Sequence, residues 1–241
     1  MNYGLYTAFL GMRARQRTLE VQANNIANAN TTGFKAERLN YSTIEPNKGG
    51  EKQTLIAAAS TSGAADHSSG SIQNTGRNLD IAIEGDAFLQ VQTKNGVRYT
   101  RAGNLNLDAN GQLITQGGEI VTGTNGPITV PQKGTLSIGQ DGSLSSDGQQ
   151  FDSLKLVRFD KPTSALVKEG TSLFMLTGAE QPKEATSAKV VQGALEGSNI
   201  NTISEMVAMI NNNREFDSIQ KSMTLMMNDI GRKISSEIGR I

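Results

Sequence analysis

Both ends of this 241-residue chain carry apolar residues at helical spacing, whereas the sequence between them has the short alternating pattern of β-strands. An amphipathic helix at a chain end must bury its apolar stripe against another element. The opposite end of the chain, or another copy of the chain, can supply that element. This order of elements predicts an α+β protein with a terminal helical domain and a central all-β domain.

The first helix is predicted over residues 3 to about 30. Its apolar residues recur at steps of three and four, which is the spacing of a coiled-coil seam. The seam consists of Leu5, Phe9, Met12, Leu19 and Ile26. Gln16 is a polar member of the same stripe, and Gly33 suits the left-handed residue that closes a helix.

The last helix is predicted from Thr202 to about residue 240. Thr202 and Glu205 have the spacing of a capping box, which marks the start. Steps of three and four continue along the whole segment, and the seam consists of Ile203, Met206, Ile210, Phe216, Ile219, Met223, Met226, Ile230 and Ile234. Asn213 is its polar member. Gln16 and Asn213 either face solvent or fix the register of helix pairing.

The central part of the chain carries five turn signals between alternating apolar runs. They are the Asn-Gly or Asp-Gly pairs at 95–96, 110–111, 125–126, 141–142 and 147–148. Such pairs accept the positive φ that tight hairpin turns require. They predict an antiparallel meander or an irregular barrel.

These patterns divide the chain into three predicted parts. Residues 1–34 and 200–241 form the terminal helical assembly domain, and residues 76–199 form the central β domain. Residues 35–75 are expected to be an extended linker, because they include the turn sequence Pro-Asn-Lys-Gly-Gly at 46–50 and a Ser/Gly-rich stretch at 60–71.

Composition excludes several classes of function. The chain has no cysteine, which excludes disulfides and cysteine-based zinc sites. Its 23 basic and 23 acidic residues give no basic excess, so a nucleic-acid partner is not expected. No apolar run reaches the roughly 18 residues of a membrane span, and the first residues lack the pattern of a cleaved signal peptide.

Candidate catalytic and metal-binding sequences are weak. Asp66, His67 and Ser68 have the residue types of a hydrolase triad, but three adjacent residues cannot adopt the geometry of one. His67, the only histidine, is instead expected in a solvated loop. The Asp-Ala-Asn-Gly sequence at 108–111 lacks the closing glutamate of a calcium loop and suits a hairpin turn better. The sequence therefore predicts no catalytic, cofactor-binding or metal-binding residues and no cofactor.

Three blocks of sequence resemble the bacterial flagellar rod and hook protein family. The first is Ala-Asn-Asn-Ile-Ala-Asn-Ala-Asn-Thr-Thr-Gly-Phe-Lys at 23–35, the second spans 79–104, and the third spans 192–216. The family motif of the first block comprises Asn24, Asn25, Ala27, Asn28, Thr32, Gly33 and Phe34. The same asparagines also fit the frayed end of a helix, or amides that bridge to the polar groups of a neighbouring subunit.

The resemblance implies a structural subunit of the flagellar basal body. Its partners would be copies of itself, other rod proteins and the flagellar type III export apparatus, with no membrane insertion. It would lie in the periplasm-spanning rod, exported without a cleaved signal peptide. The length and single β domain favour a rod component, with a distal rod or hook-type subunit as the alternative. From other classes, a periplasmic glycan-binding β module and a hydrolase that uses His67 remain alternatives.

Overall fold

The structure, a computed structural model, describes residues 3–44, 57–60, 63–131 and 135–238. The predicted turn at 46–50 and the side chains of Leu5 and Ile234 lie outside what it describes.

Within these residues the chain forms helices at both ends and short strands between them. The helices are α1 (Tyr3–Ala27), α2 (Pro162–Ala165) and α3 (Thr202–Ile238). The strands are β1 (Glu37–Arg38), β2 (Tyr41–Ile44), β3 (Ala57–Ser60), β4 (Ala64–Ala65), β5 (Ile72–Asn74), β6 (Ile81–Glu84), β7 (Ala87–Thr93), β8 (Gly96–Thr100), β9 (Asn106–Leu107), β10 (Leu113–Ile114), β11 (Ile120–Gly123), β12 (Gly126–Pro127), β13 (Leu136–Ile138), β14 (Ser143–Ser146), β15 (Gln149–Ser153), β16 (Leu156–Arg158), β17 (Leu166–Glu169), β18 (Leu173–Leu176), β19 (Lys183–Glu184), β20 (Lys189–Gln192) and β21 (Ala194–Glu196). The α+β prediction is confirmed.

The chain divides into two compact units. The helical unit comprises Met1–Ile26, Glu37–Gly63 and Asn201–Ile241, and it contains α3, nearly all of α1 and the antiparallel pair of strands β2 and β3. The β unit comprises Ala27–Ala36 and Ala64–Ile200. The predicted linker is therefore not one element, because its first two residues and its last twelve belong to the β unit.

All five predicted turns connect antiparallel strands. They join β7 to β8, β9 to β10, β11 to β12, β13 to β14, and β14 to β15. The glycine of each pair has a positive φ, between +77° at Gly111 and +122° at Gly126. This is the backbone conformation that made the pairs hairpin signals.

The sheets of the β unit are open. The largest runs in the order β17-β18-β8-β7-β11-β10-β9, with β12 and β16 attached to it and β19 paired with β16. A three-stranded meander, β13-β14-β15, and the pairs β6–β20 and β5–β21 accompany it. No closed barrel exists among the described residues, so the irregular-barrel alternative is wrong. The sheet path ends at β17 and β9, which do not pair with each other.

Strand β7 supplies side chains to two apolar cores, because alternate residues of a strand point to opposite faces. Ala87, Leu89 and Val91 belong to the larger core, which also contains Ile81 and Ile83 of β6. Phe88 points the other way, into a second core with Tyr99, Phe159 and Phe174. The rings of this second core meet edge to face at 5.1–6.0 Å between centroids.

The ends of the two long helices differ slightly from their predicted positions. Helix α1 ends at Ala27, three residues early, in an Asn-rich stretch whose residues are poor helix formers. Helix α3 begins at Thr202, but its N-cap is Asn201, whose Oδ1 accepts a hydrogen bond of 3.0 Å from the Ser204 amide. The predicted capping box is therefore wrong: Asn201 takes the capping role one residue earlier.

The predicted seam residues differ in exposure. Phe9, Ile203, Met206, Ile210 and Met226 are exposed, whereas Met12, Leu19, Ile26, Phe216, Ile219, Met223 and Ile230 are half-buried. Gln16 and Asn213, the polar members, are both exposed. The first half of the α3 seam therefore faces solvent in the single chain, and its role in assembly stays a prediction.

Candidate functional site

The three recognised sequence blocks meet in one fully buried ion cluster. Lys35 comes from the first block, Arg101 from the second and Glu196 from the third, and each side chain is at most 1% exposed. The Lys35 ammonium lies 2.7 Å from Glu196 Oε1, and Arg101 Nη1 lies 3.3 Å from Glu196 Oε2. One carboxylate thus bridges two cations inside the β unit.

Backbone carbonyls also accept hydrogen bonds from the two cations. Lys35 also donates to the Ser68 carbonyl at 2.7 Å, and Arg101 donates to the carbonyls of Ile83 and Gly85 at 3.0 and 2.6 Å. Burial lowers the pKa of both Lys35 and Arg101, and the Glu196 carboxylate opposes this shift. Glu196 is the acidic side chain that pairs with both cations, so the cluster depends on it.

Residues 33–36, which we call the strap, are held by residues 196–199. The Gly33 amide donates to the Glu196 carbonyl at 2.8 Å, and the Ala36 amide donates to Asn199 Oδ1 at 2.8 Å. Asn199 Nδ2 also donates to the Asp66 carbonyl at 2.8 Å. The side chain of Phe34 is fully buried, and the Lys168 ammonium lies 3.2 Å from the centre of its ring. The strap is thus part of the β unit and not the start of a linker.

Gly33 is required by a close backbone approach. Its φ is +67°, and a Cβ at this position would lie 2.4 Å from the Ala102 nitrogen and 2.5 Å from the Arg101 carbonyl carbon. Both neighbours are backbone atoms, which cannot make room by changing rotamer as a side chain can. The predicted left-handed glycine is present, but it lies six residues after the end of α1, in the strap.

Gly33→Ala is therefore expected to destabilise the β unit more than the same change at Gly76, which has a similar φ of +69° but open space around its Cβ position. Gly76→Ala adds only the left-handed penalty of about 1–2 kcal/mol. Gly33→Ala adds a backbone displacement of about 1–3 kcal/mol to it. Urea unfolding of both variants measures the difference, and equal losses would contradict the close-approach explanation.

His67 does not lie in a solvated loop, contrary to the sequence prediction. Its ring lies 5.5 Å from that of Phe88 and 5.2 Å from that of Phe174, and its buried nitrogens hydrogen-bond to no described residue. Burial lowers its pKa to about 4, and the nearby charges of Lys35 and Arg101 act in the same direction. The ring is therefore neutral at pH 7, and no hydrogen bond joins it to Asp66 or Ser68 as a triad would require.

In the helical unit, α1 and α3 meet through polar side chains. Asn212 Nδ2 donates to Gln22 Oε1 at 2.9 Å, and Arg15 donates to Asn212 Oδ1 at 2.9 Å. Arg15 also pairs with Glu215 at 2.6 Å. Asn25 donates to Glu205 at 3.1 Å. From Asn25 through Gln22 to Arg15 the residue numbers of α1 decrease, while those of the contacted α3 residues increase from Glu205 through Asn212 to Glu215. The two helices therefore run antiparallel.

The motif asparagines have distinct roles within the chain. The Asn25 amide accepts from the Glu37 backbone N–H and donates to the Glu37 carbonyl, both at 3.0 Å. These groups of Asn25 thus have partners within one chain, and a bridge from the motif asparagines to a neighbouring subunit stays a prediction. Asn28 Oδ1 accepts from the Thr31 hydroxyl at 3.2 Å and its carbonyl from the Thr31 amide at 3.0 Å, which closes the turn after α1. Asn24 and Ala27 are exposed and Thr32 is half-buried.

Sequence reasoning missed the ion cluster although all three of its members lie inside the recognised blocks. Lys35 and Glu196 are separated by 161 positions, and a lone charged residue in a sequence is normally solvent-exposed. The signal was the neighbouring residues: each charge stands beside a small or apolar residue, as in Phe34-Lys35 and Glu196-Gly197.

Family models match the same three regions of the chain. A model described as flagella basal body rod protein matches residues 5–35, one described as the flagellar hook protein FlgE/F/G D1 domain matches 82–146, and one described as the flagellar basal body rod FlgEFG protein C-terminal matches 191–227.

Relatives match over nearly the full length. The flagellar basal-body rod protein FlgF of Caulobacter vibrioides is 33% identical over 100% of both chains. FlgG of Bacillus subtilis is 36% identical, covering 91% of this chain and 93% of its own. FlgF of Salmonella typhimurium is 34% identical over 96% and 97%. The chain belongs to the flagellar basal-body rod protein family.

Within this family the chain is FlgF-like or FlgG-like, and it is a structural rod subunit. None of the matched families is described as catalytic or glycan-binding. In the described part of the chain, no helix is long and apolar enough to cross a membrane, and no three His, Cys, Asp or Glu side chains are grouped as metal ligands.

Proposed function

We propose that the chain assembles with copies of itself and with other rod proteins through its terminal helices. The observation that carries this proposal is an apolar stripe on the first two turns of α3, which we call the α3 stripe. Ile203, Met206, Val207 and Ile210 are 77%, 47%, 54% and 53% exposed. Four large apolar side chains at a spacing of three and four form one face of a helix that the single chain leaves uncovered.

The rest of both helices supports the same proposal. Phe9, Leu225, Met226 and Met227 are also exposed. Methionine side chains are unbranched and repack against differently shaped neighbours, which suits a subunit with several unlike partners. In this proposal the half-buried residues Phe216, Ile219, Met223 and Ile230 form the coiled-coil seam predicted from the sequence, and contacts between copies are open-ended, so that they propagate.

The proposed location is the periplasm-spanning rod of the flagellar basal body, reached through the flagellar type III export apparatus without a cleaved signal peptide. Relatives named as basal-body rod proteins support the basal-body part of this proposal. A FlgF-like position in the rod is proposed, supported by the match to FlgF of Caulobacter vibrioides over 100% of both chains, with a FlgG-like position as the alternative.

Removing the terminal helices is expected to abolish assembly and leave the β unit folded. A chain limited to residues 27–204 keeps the strap and the ion cluster, whereas a chain limited to 37–204 lacks Lys35 and leaves Glu196 and Arg101 buried without it. We expect the first chain to unfold cooperatively with the β signal of the full-length protein in circular dichroism. We expect neither chain to restore swimming to a strain that lacks the gene.

The 37–204 chain is the matched control for the extent of the β unit. It should unfold at a lower denaturant concentration, because the strap contacts are gone. Restored swimming by the 27–204 chain would refute assembly through the terminal helices. Equal stability of the two chains would instead show that the strap is dispensable for folding.

A further inference from the structure

The contact between α1 and α3 contains buried amides where an apolar pair is normally found. Gln22 and Asn212 are 8% and 9% exposed, and they hydrogen-bond to each other across the two helices. Both side chains lie within the helical unit. Val21, next to Gln22, is equally buried, so the site is a packed one.

A buried amide pair is a poor source of stability. The net contribution of a hydrogen bond to the free energy of unfolding is smaller than that of burying a leucine side chain. A polar residue at a buried helix contact has another effect: it disfavours every register in which its partner is apolar. This is the best-attested use of such residues between paired helices.

The neighbouring residues show that only one register satisfies these groups. A shift of α3 by one heptad in one direction replaces Asn212 with Ile219 opposite Gln22, and replaces Glu215 with Ser222 opposite Arg15. The first shift therefore leaves Arg15 without its carboxylate. The opposite shift brings Glu205 to the place of Asn212, within reach of Arg15. It also puts Ser198, which precedes α3, opposite Asn25, so the contact between Asn25 and α3 is lost. The repeating apolar residues of α3, by contrast, recur at heptad spacing and tolerate either shift.

We infer that the Gln22–Asn212 amide pair, with Arg15 and Glu215, determines the register of the antiparallel α1–α3 pair. The apolar residues hold the helices together, and the polar residues select which turns face each other. The inference concerns a single chain and does not depend on assembly of the rod.

The absence of cysteine from the sequence makes the register directly measurable. One full-length chain carries Arg15→Cys with Glu215→Cys and reports the observed register. A second carries Arg15→Cys with Ser222→Cys and reports a shift of one heptad. Both reporters lack the Arg15–Glu215 ion pair, so their comparison tests the register preference of the amide pair alone. Each is treated with a short bismaleimide at low protein concentration, and intrachain products are quantified by peptide mass spectrometry.

With Gln22 and Asn212 in place, we expect the 15–215 product to exceed the 15–222 product by at least about tenfold, which corresponds to a register preference of about 1.4 kcal/mol. With Gln22→Leu and Asn212→Leu together, the two products should become comparable, while the helical signal in circular dichroism melts at an unchanged or higher temperature.

A purely structural amide pair gives a different result. The leucine variant would then lose helical stability and keep the 15–215 product as the dominant one, which would overturn the inference. Absence of the 15–215 product from the chain with Gln22 and Asn212 would overturn it as well, because the helices would then not pair in this register.

Discussion

Replacing Glu196 with glutamine is expected to destabilise the β unit by about 3–5 kcal/mol, the range for breaking a buried ion pair by removing one partner. The Lys35 and Arg101 side chains would then be buried together without the carboxylate that pairs with both of them. Glutamine keeps the size of the side chain, so the loss reports the charge and not a cavity. For a protein of this size the thermal midpoint should fall by roughly 10 °C.

The partner residues make this prediction specific. Lys35→Met leaves Glu196 paired with Arg101, so its cost should be smaller than that of Glu196→Gln. The double variant keeps Arg101 as the only charge of the three-residue cluster and should cost less than the sum of the two single changes. Glu184→Gln, at an exposed position in β19, controls for loss of one negative charge.

Urea unfolding followed by the β signal in circular dichroism measures all four variants. If Glu196→Gln proved no more harmful than Glu184→Gln, the cluster would contribute nothing to the β unit.

The β unit was predicted well where the determinants are local. An Asn-Gly or Asp-Gly pair determines its own turn through the φ values that its residues accept, and all five predicted hairpins are confirmed. The ion cluster could not be predicted in the same way. Its partners are brought together only by the completed sheets and by the strap, so the small and apolar neighbours of Lys35 and Glu196 do not by themselves show which charges are paired.

The helical unit shows the limit of periodicity as a predictor. In the first half of α3 the less exposed positions include Glu205, Met209 and Asn212, each one residue before the predicted Met206, Ile210 and Asn213. From Phe216 onward, the predicted positions Phe216, Ile219, Met223 and Ile230 are half-buried, whereas Met226 is exposed. Periodicity identifies the apolar face of a helix. In this part of the pair, however, α1 presents polar Gln22 and Asn25 to α3, and these side chains hydrogen-bond to Asn212 and Glu205.

This one-residue offset between the predicted and the observed contact positions also explains why the α3 stripe is exposed. If the apolar side chains of the first turns were buried against α1, the single chain would have nothing exposed to bind a partner there. Because polar residues make the intrachain contact, the apolar face of the same turns remains open. The sequence alone could not distinguish these two uses of one stripe.

Ile210→Asp is therefore expected to abolish incorporation into the rod while the single chain remains folded. Ile210 is 53% exposed, so an aspartate there is solvated in the monomer. Covered by another subunit, its carboxylate would lose that hydration at a cost of several kcal/mol unless it were paired. A loss of about 3 kcal/mol at each contact already weakens binding by more than about a hundredfold, and the effect repeats with every subunit.

Asn211→Asp is the matched control, because it adds the same charge to the next residue, which is also exposed but lies outside the α3 stripe. Both variants are expressed in a strain that lacks the gene, and swimming in soft agar and the amount of protein in purified basal bodies are measured. We expect Asn211→Asp to support both and Ile210→Asp to support neither, with equal helical content of the two purified chains. Normal incorporation of Ile210→Asp would show that the stripe is not an assembly surface.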